Sequence, residues 1–114
     1  MMVELFVAIA LAAAPPPQTE KRQTVRISAE RFSFIPSQVK VKAGTVVEFR
    51  VSSEDTNHGF RIPSAGIDRI IPKRGKGELQ VIYRAERPGR YDFECSKPCG
   101  AGHTMMRGLI IVEE

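Results

Sequence analysis

Residues 38–53 read "QVKVKAGTVVEFRVSS", and the alternation in this stretch decides the fold class. Val39 and Val41 fall on one side of an extended chain, Lys40 and Lys42 on the other. That period of two belongs to a half-buried strand. Gly44 ends the first run, and Thr45 opens a second one rich in strand formers: Val46, Val47, Phe49 and Val51. With only Ala43 and Gly44 between them, the two runs predict a hairpin over Gln38–Ser52. Upstream, "TVRISAE" puts Val25 and Ile27 on one face and Arg26 and Ser28 on the other. Downstream, "RIP", "ELQVIYRA", "GRYDFEC" and "RGLIIVEE" are further β-rich runs, divided by Pro63, Gly75, Gly77, Pro88 and Gly89. Nothing after residue 20 keeps a helical period for three turns. The expectation is an all-β domain, an antiparallel β-sandwich of about seven strands with Greek-key connections.

Outside that domain the chain changes character. "MMVELFVAIALAAAPPP" is apolar and runs into Pro15, Pro16 and Pro17, which stop a helix. Residues 1–14 as a helix would reach about 21 Å, short of the roughly 30 Å hydrocarbon core of a bilayer. Ala12, Ala13 and Ala14 have the small-residue character of a signal-peptidase site. No Lys or Arg precedes the apolar run, and Glu4 interrupts it. The expectation is a signal peptide or short membrane anchor over 1–14, a linker over 15–23 and one domain over 24–114. That arrangement would place the domain in the periplasm or another extracytoplasmic space, exported or membrane-tethered. The competing reading is an N-terminal core helix.

The net charge is +4, from seventeen Lys and Arg against thirteen Asp and Glu. The cations are spread along the chain rather than gathered in a stripe with aromatics, which argues for a solvated basic surface and against nucleic-acid binding.

The soft side chains are concentrated. In "ECSKPCGAGHTMMRG", residues 94–108, stand both cysteines, one of two histidines and two of four methionines. The spacing is Cys95-x3-Cys99-x3-His103-x2-Met106, and the other histidine, His58, opens a strand-like run after a polar turn. Thiolate, imidazole and thioether donors together suit copper, because soft sulfur favours Cu(I) and imidazole accepts either oxidation state. Pro98 restricts the loop before any metal binds, lowering the ordering cost. Other readings use less of the cluster. A Cys95–Cys99 disulfide leaves His58, His103 and Met106 without a role. A structural zinc site has no use for Met106, nor does cysteine-nucleophile catalysis. Met106 by itself could be ordinary core.

With those residues in view, the chain resembles a known family. "CSKPCGAGHTMMRG" is similar to the C-x3-C-x3-H-x2-M loop of the CuA copper domain of cytochrome c oxidase subunit II and nitrous oxide reductase. "DTNHGFRIPSAGIDRIIPKRGK" resembles that family's D-x-x-H-x-F-x-[IV]-P-x-x-G segment. The resemblance covers roughly residues 24–114. It implies a cupredoxin sandwich holding two copper ions, with Cys95 and Cys99 bridging both. His58 would ligate one ion and His103 the other, with Met106 and the Lys97 carbonyl as weak ligands. Lys97 departs from the family's common acidic residue, which a main-chain ligand tolerates. Met105 has no ligand role in this pattern.

The function so implied is one-electron transfer between redox partners, either as a freestanding carrier or as a subunit II-like component of a terminal oxidase. The chain by itself would not be catalytic. His103, beside Pro98, Ala101 and Met105, is the expected exposed edge for electrons. The chain has no Trp, whereas subunit II commonly uses an aromatic cluster to receive electrons. Arg61, Lys97 and Arg107 lie close to the expected ligands in sequence, so an acidic or neutral redox protein fits better than a basic cytochrome. A copper-delivery protein and a mononuclear site using His58, Cys99, His103 and Met106 remain as alternatives.

Overall fold

The computed structural model describes residues 21–114. The expected signal or anchor, 1–14, and residues 15–20 of the expected linker lie outside the described residues. Among the described residues, nine strands form two sheets. In chain order they are β1 (Lys21–Glu30), β2 (Ser33–Ile35), β3 (Gln38–Lys42), β4 (Thr45–Ser53), β5 (His58–Ile62), β6 (Ile67–Ile71), β7 (Leu79–Ala85), β8 (Gly89–Glu94) and β9 (Arg107–Glu113). One sheet has the order β2-β1-β4-β7, the other β3-β9-β8-β5-β6. The described helical structure consists of two 3₁₀ turns, Pro63–Ala65 and His103–Met105. No helix among the described residues is long and apolar enough to cross a membrane.

The all-β sandwich is as expected, but two details differ. The runs 38–42 and 45–53 do not form a hairpin: β3 pairs with β9 in parallel, while β4 lies between β1 and β7 in the opposite sheet. The reason lies at the two-residue link. The Ala43 N–H donates to the Glu113 carbonyl at 2.7 Å, and the Gly44 N–H to the Ala85 carbonyl at 2.7 Å. Consecutive amides thus bond to strands of different sheets, and Gly44, at φ +90°, takes the left-handed bend that carries the chain across. A hairpin would have laid the two apolar rows side by side. The crossover sets them face to face, where each removes the other from water. The sandwich is also not purely antiparallel, because β1 and β4 run parallel, as do β3 and β9. These pairs follow from strands that return to a sheet after crossing to the other one. β1 begins at Lys21, paired with Thr45, so ladder structure extends into the last three residues of the stretch expected to be linker.

The core sits between the sheets. β4 buries Val47, Phe49 and Val51; β1 buries Val25, Ile27 and Ala29; β9 contributes Ile110 and Val112. Toward one end, Phe34, Phe60 and Phe93 pack edge-on or tilted with centroids 5.1–6.0 Å apart. Each such ring removes enough apolar surface to stabilise the fold by about 1.5–3 kcal/mol. β5 begins, β8 ends and β9 begins at this end, above that aromatic floor.

Candidate metal centre

Strand ends deliver the donors. His58 is the first residue of β5, Cys95 follows the last residue of β8, and Met106 precedes the first residue of β9. The loop between β8 and β9 carries Cys99, and its 3₁₀ turn carries His103. The Cys95 N–H donates to the Met106 carbonyl at 3.0 Å, which closes the loop at its base and continues the β8–β9 ladder one pair beyond Glu94 and Arg107.

The five expected side chains converge. The thiol sulfurs of Cys95 and Cys99 are 3.8 Å apart. His58 Nδ1 lies 4.0 Å from the Cys95 sulfur, and His103 Nδ1 lies 3.9 Å from the Cys99 sulfur. Met106 Sδ is 3.9 Å from the Cys99 sulfur, and the Lys97 carbonyl is 3.1 Å from the Cys95 sulfur. Each sulfur therefore has its own imidazole and its own weaker donor. Donor atoms of His58, Cys95 and Cys99 all lie within 4.8 Å of one another. His58 and Met106 are fully buried, Cys95 and Cys99 nearly so, and both cysteines are free thiols. The pairing Cys95–Cys99 considered from the sequence is thus not a disulfide here.

Electrostatics prepare the cluster for a cation. Burial pushes the Cys99 thiol up to about 11, helped by the hydrogen bond and charge of Cys95. A thiol raised in this way gives up its proton when a positive ion takes its place. Asp55 behaves oppositely. Burial would raise its pKa, but the Arg31 amide, the His58 ring and the Thr56 amide outweigh this and bring it down to about 2. The carboxylate accepts from His58 Nε2 at 2.7 Å. With Asp55 ionised, Nε2 is the donor, which in a neutral ring leaves the Nδ1 lone pair on the sulfur side. The donor set of two thiols, two imidazoles and a thioether fits copper.

Four neighbours escape a reading based on donor chemistry alone. Asp55 is visible in the sequence only as the first residue of the D-x-x-H spacing. Gly59 donates its N–H to the Cys95 sulfur at 3.3 Å, and a Cβ there would lie 2.6 Å from the Ser96 nitrogen and 2.7 Å from that of Lys97. Arg31 donates Nε–H to the Cys99 carbonyl at 2.9 Å. The Phe32 ring lies so close to Gly100 and Gly102 that a Cβ at either would stand 2.6–2.8 Å from it. No spacing rule links residues 31 and 32 to a loop nearly seventy positions away.

Around the cluster, Lys97, Pro98, Ala101, Met105 and Arg107 are exposed, with Met105 at 78%. His103 is half-buried. Of the basic residues expected near the ligands, Arg61 is ion-paired with Glu94, its Nε 2.8 Å from Oε2. A cavity of about 430 Å³, lined by residues including Ser64, Tyr83 and Tyr91, shares no residue with the cluster.

Comparison with known proteins agrees with this geometry. A family model described as a cupredoxin-like domain matches residues 3–112. Cytochrome c oxidase subunit 2 of Thermus thermophilus is 34% identical over 93 residues, covering 80% of this chain and 66% of that protein. Nitrous-oxide reductase of Ralstonia nicotianae is 32% identical over 97 residues, covering 82% of this chain and 15% of the reductase. Among solved structures, a chain of a heme-copper terminal oxidase dimer superposes with a TM-score of 0.71 at 28% identity, covering 90% of this chain and 76% of that one. The chain thus spans about two thirds or less of the curated relatives just described.

Proposed function

Because the chain belongs to the cupredoxin-like domain family, we propose that it is an electron-transfer module whose metal centre holds two copper ions. The observation that carries this reading is the twofold character of the cluster. Each of two sulfurs 3.8 Å apart has a different imidazole nitrogen 3.9–4.0 Å away. A single ion would need one set of donors, whereas here the donors fall into two sets, one beside each sulfur, and the two cysteines would be shared between the ions. His58 and the Lys97 carbonyl stand on the Cys95 side, His103 and Met106 on the Cys99 side. Bound copper would supply a one-electron couple.

The chain's own residues would do the rest. His58, Cys95, Cys99, His103, Met106 and the Lys97 carbonyl would fill every coordination position, leaving none for a substrate. The aromatic floor and the Asp55 network hold these donors in place, so that little rearrangement accompanies a change of charge. Half-buried His103, with exposed Ala101, Pro98 and Met105 nearby, would be the electron edge. Lys97 and Arg107 near that edge favour an acidic or neutral redox partner. Kinship with oxidase subunit 2 supports reading it as an extracytoplasmic domain that works either in a terminal oxidase as a small subunit II-like component or beside one as a carrier.

Copper content and electron paramagnetic resonance of the oxidised full chain test the reading. Two coppers per chain, with hyperfine splitting from both nuclei, are expected. One copper per chain with splitting from a single nucleus would replace it with a mononuclear site. Two coppers surrendered readily to an apo acceptor would replace it with copper delivery.

A further inference from the structure

The metal-centre donors come from two segments far apart in sequence, and the corner between β1 and β2 touches both. Arg31 directly follows β1. Its amide N–H donates to Asp55 Oδ2 at 3.0 Å, and Asp55 is the carboxylate that holds His58 at 2.7 Å. Its side-chain Nε donates to the Cys99 carbonyl at 2.9 Å. The next residue, Phe32, packs against the core and against Gly100 and Gly102 of the same loop. One residue thus grips the support of one imidazole with its backbone and the sulfur loop with its guanidinium.

We propose that Arg31 is a positioning residue for the metal centre, tying the sulfur loop to the His58 segment so that the donors stand in register before metal arrives. The loop needs such a tie. Gly100, Ala101 and Thr104 are exposed, and the described internal hydrogen bonds of the 3₁₀ turn run over short spans: His103 N–H to Gly100 O, Met105 N–H to Gly102 O and Met106 N–H to His103 O. A charge-assisted hydrogen bond to the Cys99 carbonyl from a residue at the end of β1 restrains the loop more than such turn contacts do. The hydrogen bond of the guanidinium is to the Cys99 carbonyl and not to a donor atom of the cluster. The inference rests on the proposed function only for the identity of the metal; the tie is a property of the metal-free chain.

Substituting Arg31→Met removes the side-chain bond and leaves the backbone bond to Asp55. Arg31→Lys restores the charge without the planar Nε donor. In the reduced, metal-free full chain, hydrogen exchange at the amides of residues 100–106 is expected to be about tenfold faster in both variants, with β4 and β7 amides unchanged. In the copper-loaded chain, release to a competing chelator is expected to be about tenfold faster, with altered hyperfine splitting. Unchanged loop exchange in Arg31→Met overturns the proposal, as does full recovery by Arg31→Lys, which would make the effect one of charge alone. A uniform rise in exchange across β4 and β7 overturns it too, since the residue would then support the fold generally. If the chain holds one copper, the binuclear reading fails, yet loop exchange still decides the role of Arg31.

Discussion

The two imidazoles of the cluster are held in opposite ways. His58 is fully buried at the start of β5, and its Nε2 is bonded to a carboxylate that also accepts from the Arg31 and Thr56 amides and the Ser53 hydroxyl. His103 is half-buried on an exposed 3₁₀ turn, where its ring meets the Cys99 sulfur at 3.9 Å. One is anchored by the sandwich, the other is carried by a loop. The difference fits the proposed division of labour, in which one side of the centre would fix geometry and the other would face a partner. It also implies that the two sides contribute unequally to the stability of the metal-free protein.

The largest expected effect is on the anchored side. Gly59→Ala drives a methyl group into the Ser96 and Lys97 backbone, which cannot step aside as a flexible side chain would. Destabilisation of about 3 kcal/mol is expected, with reduced copper occupancy, read by denaturant titration and metal analysis. Next comes the direct contrast of the two histidines. In the metal-free chain, His58→Ala leaves a buried cavity and removes a hydrogen bond from Asp55, costing about 2 kcal/mol. His103→Ala on the loop should cost about 0.5 kcal/mol or less. Equal losses would erase the distinction between anchored and carried imidazoles. The smallest effect is with pH. Asp55 is held at about 2 in the fold against an ordinary 3.8. A depressed carboxylate contributes stability in full above its unfolded value and loses it as pH falls through the folded one. The metal-free chain should therefore weaken between about pH 4 and pH 2, and Asp55→Asn should flatten that part of the curve.

The alternation at Val39, Val41, Val47, Phe49 and Val51 was enough to read strands, because burial on one face imposes a period of two wherever the strand lies. It did not tell that β3 and β4 belong to different sheets. A two-residue link is compatible with both a hairpin and a crossover, and the choice rests on what Ala43 and Gly44 bond to: the carbonyls of Glu113 and Ala85, supplied by distant strands. β2 and β6 were missed for another reason. Ser33–Ile35 has three residues, too few to show a period, and Ile67–Ile71 buries only Ile71 fully.

At the metal centre, the donors were legible because their chemistry is rare in this chain: both cysteines and both histidines belong to the cluster. Asp55 was legible only as part of a spacing, since a carboxylate three residues before a histidine is common on surfaces. Arg31, one of seventeen Lys and Arg, carried no signal at all.

Sequence alone therefore determined which atoms could bind a metal and that they sit on a β-rich scaffold, because donor chemistry and strand period are properties of residues and their near neighbours. Tertiary structure alone decided that each sulfur meets a different imidazole, that one imidazole is anchored and the other half-buried on a loop, and that Arg31 reaches the loop. Those outcomes depend on which strand ends meet in space, and packing between two sheets, rather than any local preference, brings those ends together.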